Sequence, residues 1–153
     1  MNCWLSVLLV SALPFAEIRG GLPLALYYGL NPLEAYTIAV LGNILPVPLL
    51  LLLLDFLVGI ATRVNVVDRM YSKIIERVER KKTVVEKYGY LGLTLFVSVP
   101  LPVTGAWTGV LIAFLLRMNK VKSFLAIFAG VCIAGIIVLL VSLGVISIAT
   151  III

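Results

Sequence analysis

The sequence predicts an all-α integral membrane protein with two inverted-topology repeats, each a re-entrant helical hairpin plus one transmembrane helix, joined by a cytoplasmic amphipathic helix. Of the 153 residues, 63% are hydrophobic and 12% are charged, against about 25% charged in globular domains. Basic residues concentrate in two stretches, 63–87 and 117–122. Four residues recur after 88 positions, namely Pro14, Gly21, Asn31 and Gly42, which return as Pro102, Gly109, Asn119 and Gly130.

These observations divide the single membrane domain into repeat 1 (1–60), a linker helix (61–88) and repeat 2 (89–153). Duplicated halves with apolar segments interrupted by Gly and Pro at corresponding positions indicate a transporter binding site. The alternative is that the four coincidences arise by chance in an apolar sequence rich in Gly and Pro, since other identity between the halves is sparse.

Segment lengths predict which runs cross the bilayer. Two apolar runs, Ala35–Phe56 and Phe124 to the C-terminal end, reach the about 20 residues that a spanning helix needs. Four others have half that length and flank two breaks, namely 2–13, 22–30, 91–99 and 110–116. Each pair of short runs therefore predicts a re-entrant hairpin, although tilted full spans are the alternative.

Charge placement predicts the orientation. Residues 63–87 contain eight Lys or Arg against four acidic residues, so the positive-inside rule places this stretch in the cytoplasm, together with residues 117–122. Both stretches can share a side only if residues 88–116 do not cross the membrane an odd number of times, as in a re-entrant hairpin. The prediction is a multi-pass protein of the plasma membrane with both termini outside. Residues 1–13 lack a basic region and a cleavage site, so they are not interpreted as a signal peptide.

The linker has apolar residues at three- and four-residue steps and charges on the opposite face, which is typical of an amphipathic helix. It is predicted to lie on the anionic cytoplasmic leaflet. A solvated linker helix or a self-pairing coiled segment is the alternative interpretation.

Composition also argues against several functions. The chain contains no His, and its two Cys, Cys3 and Cys132, are far apart in apolar runs. We therefore expect no enzyme activity, no metal site, no cofactor and no nucleic-acid partner. Gly42, Gly130 and Gly135 could serve close packing in a homodimer or within one protomer.

The first break contains an ionisable pair, Glu17 and Arg19, followed by Gly20 and Gly21. A charge at the bilayer centre costs about 2.5 to 3.5 kcal/mol on the insertion scale, so the pair is a candidate functional site. Arg suits phosphate or carboxylate, and a second arm beginning near Gly21 would direct helix amides at the same anion. The structural alternative is that the two charges neutralise each other and hold the hairpin tip.

The second break has hydroxyls and an indole in place of the charges. Thr104, Gly105, Trp107 and Thr108 are candidate binding residues, and the 88-residue interval pairs Trp107 with Arg19. Trp107 could stack on Arg19 or substrate, or fill the hairpin core. Pro14, Pro23, Pro100, Pro102 and Gly109 are predicted to shape the hairpins, and Asn43, Asp55 and Arg117 are candidate accessory residues. Asn43 and Pro46 predict a kink.

The stretches Ala16–Pro23 and Pro100–Gly109 resemble the two signatures of the family called putative small multidrug export proteins. That family more remotely resembles the DedA superfamily of re-entrant membrane proteins, which is associated with moving lipid carriers such as polyprenyl phosphates and with proton-motive force. The resemblance implies that Glu17 and Arg19 are the acidic and basic members of the first hairpin. It also implies that Pro102, Gly105 and Gly109 shape the second hairpin, where DedA proteins usually carry further arginines and this chain offers only Arg117.

Together these features predict a membrane transporter or lipid flippase that moves an anionic, phosphate-bearing lipid or small amphiphile by alternating access at the hairpin tips. Its partners would be membrane lipids, the substrate and a coupling proton or sodium ion, with Glu17 taking the proton. One alternative is a proton-coupled exporter of cationic drugs, and another is a non-transporting scaffold whose basic helix recruits a partner.

Overall fold

A computed structural model describes residues 2–61, 82–100 and 104–152 of the chain. The described residues form seven helices and contain no β-strand, so the all-α prediction is confirmed. Most of the predicted amphipathic linker helix, residues 62–81, lies outside the described residues, as does Pro102.

The first half of the chain contains α1 (Cys3–Ala12), α2 (Glu17–Tyr27), α3 (Pro32–Ile44) and α4 (Pro46–Ala61). Helices α1 and α2, the first helical pair, pack on each other, and both pack on α3. Between α3 and α4 only Leu45 separates the helices, at the place where the sequence predicts a kink, because Pro46 has no N–H to continue the α3 hydrogen bonds.

The second half contains α5 (Lys82–Ser98), α6 (Ala106–Leu115) and α7 (Lys120–Ile152). Gly89 interrupts α5 with φ 60° and ψ −131°, a conformation open chiefly to glycine. This kink lies at the boundary predicted between the linker and the second repeat. Beyond it, the rest of α5 forms the second helical pair with α6, and both helices pack on α7.

The two helical pairs end in the same way, 88 residues apart. After α2, Gly29 has φ 77°, Leu30 N–H donates to Ala25 and Gly29 N–H donates to Leu26. After α6, Arg117 has φ 49°, Met118 N–H donates to Ala113 and Arg117 N–H donates to Phe114. Both are left-handed C-caps that satisfy the last carbonyls of a helix.

The helix that follows each pair also begins in the same way. The Asn31 side chain accepts a hydrogen bond of 2.9 Å from Glu34 N–H, and the Asn119 side chain accepts one of 3.2 Å from Lys122 N–H. Asn is among the strongest N-cap residues because its oxygen pairs with an amide that the helix leaves free. The recurrent asparagines are therefore helix caps.

The recurrent glycines mark close contacts with the first helix of each pair. A Cβ on Gly42 would lie 2.6 Å from the Leu8 carbonyl oxygen and 2.8 Å from Ser11 Cβ, and one on Gly130 would lie 2.8 Å from the Thr94 carbonyl oxygen and 2.7 Å from Val97 Cβ. Gly21 and Gly109 lie against the same two side chains, Ser11 and Val97. In each half, one helix is thus held between two glycines.

Two segments are long and apolar enough to cross a membrane, Pro32–Leu54 and Lys120–Val145. They coincide with the two predicted spans. Many leucines point outwards, including Leu52, Leu125 and Leu140, each more than half exposed, as expected for helices surrounded by lipid. The short helices α1 and α6 have 10 residues each, which is half the length of a span.

Candidate functional site

The Glu17 carboxylate lies buried between the two halves of the protein. Glu17 is 4% exposed and starts α2 with φ 48°, a left-handed conformation that is uncommon for residues other than glycine. Its N–H donates to the Leu13 carbonyl, 3.0 Å away. Such conformations persist where surrounding contacts over-determine them and often occur at functional sites.

The second helical pair contacts this carboxylate through a backbone N–H and a glycine. The backbone N–H of Trp107, in the first turn of α6, donates a hydrogen bond to it, and a Cβ on Gly105 would overlap the whole carboxyl group. The first amides of a helix have no partner within the helix and favour negative charge. Gly105 is needed here for space alone, because its φ of −168° is ordinary extended backbone.

Arg19 is the cationic partner of Glu17. Arg19 Nη2 lies 3.7 Å from Glu17 Oε2, and the Arg19 side chain is 23% exposed. Charge-assisted hydrogen bonds are about 2.7 to 2.9 Å long, so this ion pair is loose. Part of the Arg19 side chain thus remains accessible. Pro23 lies inside α2 and has no N–H to donate. The Arg19 carbonyl, four residues earlier, therefore lacks its usual helical hydrogen bond.

A second contact joins the tips of the two helical pairs. The Trp107 indole N–H donates a hydrogen bond of 3.2 Å to the Ala12 carbonyl, at the end of α1, where helical carbonyls lack intrahelical partners. Trp107 therefore contacts the first helical pair at two points, the Ala12 carbonyl through its indole N–H and Glu17 through its backbone N–H. It is a linking residue between the two halves.

These groups open into one narrow cleft, whose cavity volume of about 10 Å³ is roughly that needed by one water molecule. Pockets for drug-sized ligands measure about 300 to 1,000 Å³, so this conformation has room for a water molecule or a small ion. The polar lining comprises Glu17, Arg19, Asn43 and Thr104, and the remainder is apolar or backbone. The Thr104 hydroxyl, two residues before α6, donates a hydrogen bond of 2.7 Å to the Val99 carbonyl.

Six of the eleven lining residues form three pairs that are 88 positions apart. Glu17 and Gly105, Ile18 and Ala106, and Asn43 and Val131 all line the cleft. Corresponding positions of the two halves thus face each other across it, and the larger member of one pair, Glu17, fits against the glycine of the other half.

A family model described as Putative small multi-drug export protein matches residues 17–137. The chain belongs to this family. The match begins at Glu17, within the first break, and includes the second break, the cleft and the first half of α7. The curated proteins and the solved structures gave no match.

Within this member of the family, the cleft brings together six of the residues that the sequence singled out, namely Glu17, Arg19, Asn43, Pro100, Thr104 and Gly105. Trp107 contacts Glu17 from outside the lining. The remaining candidates lie elsewhere: Thr108 is half-buried, Pro14, Pro23 and Arg117 are exposed, and the Asp55 side chain is outside the described residues.

The glycines of the first break have a different role from the one expected. Helix α2 begins at Glu17, four residues before the predicted start, and Gly20 N–H is already bonded to the Ala16 carbonyl. The amide that meets an anion belongs to α6 of this export-family fold, where Trp107 holds Glu17. Gly21 is a packing position against Ser11, as Gly109 is against Val97.

The sequence did not single out the apolar walls of the cleft, Ile18, Val97, Ala106, Val131 and Ala134. An apolar wall residue is indistinguishable from core by composition. The 88-residue interval was the available signal, because it relates Val131 to Asn43 and Ala106 to Ile18.

Proposed function

We propose that this membrane protein transports an anionic, phosphate-bearing lipid or small amphiphile by alternating access at two re-entrant hairpins, with an ion coupled at Glu17. The observation that carries the proposal is the loose Glu17–Arg19 pair in a cleft between the two halves. A phosphate offers Arg19 a better-matched partner than a carboxylate held 3.7 Å away by other contacts.

The proposed exchange follows from charge balance. With Glu17 paired to Arg19 the cleft is neutral, and an anion on Arg19 displaces the carboxylate from its cation. The freed Glu17 then needs a positive charge, since an uncompensated buried carboxylate is strongly unfavourable. Uptake of a cation at Glu17 would therefore accompany uptake of the anionic group at Arg19.

The exposed apolar surroundings of the cleft favour a lipid substrate. The cleft is too narrow for a head group in this conformation, so under alternating access it must open to admit one, while the tail of the lipid stays in the bilayer against the apolar outer faces of the helices. A small head group needs less room than a whole drug-sized ligand. This supports a substrate of the polyprenyl-phosphate type, the class suggested by the remote resemblance to the DedA superfamily.

The architecture we propose is a pair of inverted repeats. The recurrent caps, glycine contacts and cleft pairs at one interval support two copies of one unit. The basic residues lie at the end of only the second helical pair, where Arg117 takes the position of Gly29. Opposite insertion of the two copies would place these cations on the cytoplasmic side.

Single cysteines test this topology. In a background without Cys3 and Cys132, cysteines at Leu33, Lys82 and Lys120 are expected to react with an impermeant thiol reagent in sealed vesicles, Leu33 from outside and both lysine positions from inside. Leu33 is 75% exposed, and substituting it preserves the Asn31 cap. Labelling of positions 82 and 120 from opposite sides would mean that the second helical pair crosses the membrane.

Arg19→Lys tests the substrate class. In proteoliposomes, transfer of a fluorescent short-chain prenyl phosphate between leaflets, read by quenching of the outer leaflet, is expected to fall about tenfold or more, equivalent to about 1.4 kcal/mol. Lys keeps the charge but loses the planar fork that matches phosphate. Lys122→Arg, the converse exchange at an exposed site near Tyr90, should leave the rate unchanged.

The same assay separates the other functions. The corresponding prenyl alcohol should not compete for transfer if phosphate is recognised. The family description favours one second candidate, export of cationic drugs with Glu17 as the cation's partner. In that case Glu17→Gln would abolish drug export while Arg19→Lys leaves it nearly intact. A scaffold would transfer neither substrate and tolerate both substitutions.

A further inference from the structure

Asn43 brings an unused hydrogen-bond acceptor into the cleft. It is 1% exposed, it lines the cleft beside Glu17, and its Oδ1 has no hydrogen-bond partner among the residues that the structure describes. Buried side-chain oxygens are nearly always paired. An unpaired amide oxygen facing a carboxylate cleft therefore indicates a missing positively charged or hydrogen-donating group.

The Glu17 carboxylate, which lines the same cleft, has unused hydrogen-bonding capacity. A carboxylate can accept about four hydrogen bonds, yet in the described part of the chain Glu17 receives the Trp107 N–H and a cation at 3.7 Å. The cleft thus holds an undercompensated carboxylate and an unpaired amide oxygen. A single proton on Glu17 would offer one hydrogen bond, whereas a metal cation can contact the Glu17 carboxylate and Asn43 Oδ1 at once.

We propose that a sodium ion binds between the Glu17 carboxylate and Asn43 Oδ1. Hard cations take carboxylate, amide carbonyl and water oxygens as ligands. One carboxylate balances one positive charge, and a divalent ion such as calcium usually gathers six to eight oxygens, which this cleft does not provide among its described side chains.

The role of the ion rests on the proposed function. When an anionic head group takes Arg19, sodium at Glu17 restores neutrality in a site where an unbalanced charge is costly. Sodium and the anion would then bind together, each raising the affinity for the other by the same factor. The sodium site itself can be tested without any lipid substrate.

Trp107 provides the signal. In a Trp4→Phe background the full chain retains only Trp107, whose backbone N–H contacts Glu17. We expect its fluorescence, in purified protein at fixed pH, to change saturably with sodium chloride and to remain flat with choline chloride at equal ionic strength. Asn43→Leu should raise the half-saturating sodium concentration about tenfold or more, and Thr37→Val, exposed on the same helix, should leave it unchanged.

If Asn43→Leu does not fold, Asn43→Asp tests the proposed sodium site. It keeps an oxygen and adds a second carboxylate, so sodium must bind several-fold more tightly. Equal responses to sodium and choline, an unchanged half-saturation in Asn43→Leu, or weaker binding in Asn43→Asp would overturn the site. A change driven by pH alone, with no added effect of sodium, would overturn it too and make the ion a proton.

The outcomes for the site and for the transport function are separable. A sodium response without any phosphate-lipid transfer would retain the cation site and reject the proposed substrate. Phosphate-lipid transfer that is sensitive to Arg19→Lys but indifferent to sodium would retain the transport function and reject the cation site.

Discussion

Gly105→Ala is expected to displace the Glu17 carboxyl group from its contacts with residue 105 and Trp107, and to abolish most transport activity. A methyl at this position would coincide with the Glu17 carboxyl group, so Glu17 must leave its hydrogen bond to Trp107 or the two halves must separate. Overpacking of this kind costs about 1 to 3 kcal/mol. We expect the free energy of unfolding, measured in mixed micelles, to fall by that amount and lipid transfer to fall at least about tenfold.

A compensating variant distinguishes this cause from a general packing defect. Shortening the acid with Glu17→Asp withdraws the carboxyl group from position 105, so adding it to Gly105→Ala should restore part of the lost stability. Backbone conformation cannot explain the effect, because φ at Gly105 is accessible to alanine. A double variant less stable than Gly105→Ala alone would argue against the proposed clash.

Gly42→Ala and Gly130→Ala are expected to destabilise the protein by similar amounts, about 1 to 3 kcal/mol each. At both positions the new methyl meets a backbone carbonyl, of Leu8 at 2.6 Å or of Thr94 at 2.8 Å. Backbone cannot rotate away as a side chain does, so a whole helix must shift. The measurement is the free energy of unfolding on titration with a denaturing detergent.

Gly144 offers the matched control for this pair. It lies in α7 with nothing within 4 Å of an added Cβ, so Gly144→Ala should be neutral or slightly stabilising because alanine favours helix. Similar losses at positions 42 and 130 would support equivalent helix contacts in the two halves. Neutral behaviour at either position would show that the corresponding helices do not pack through that glycine.

The 88-residue interval in the sequence predicted more of the fold than the composition did. It identified Asn31 and Asn119, whose shared role is helix capping, and Gly42 and Gly130, whose shared role is close contact. Helical character and the two long apolar segments also follow from sequence, since segment length and hydropathy are local properties. The orientation in the membrane stays a prediction.

The details of the site depended on tertiary contacts that local patterns do not encode. Helix α2 starts at Glu17 with a positive φ, a conformation that is locally unfavourable for an acidic residue. In the folded protein this residue also contacts Trp107 of the other half. For the same reason the anion-holding amide was expected near Gly21. The interval that relates residue 17 to residue 105 contained the signal for their contact, but only if the two halves meet at corresponding positions.

The C-caps of the two helical pairs differ in their conformational cost. Gly29 adopts the left-handed conformation without cost, whereas Arg117 adopts it with a side chain, at roughly 1 kcal/mol or more. The chain thus keeps a cation where glycine would fold more easily. Under the inverted topology proposed above, the Arg117 charge would lie on the cytoplasmic side, so this cap would favour the orientation of the second half at the expense of local stability.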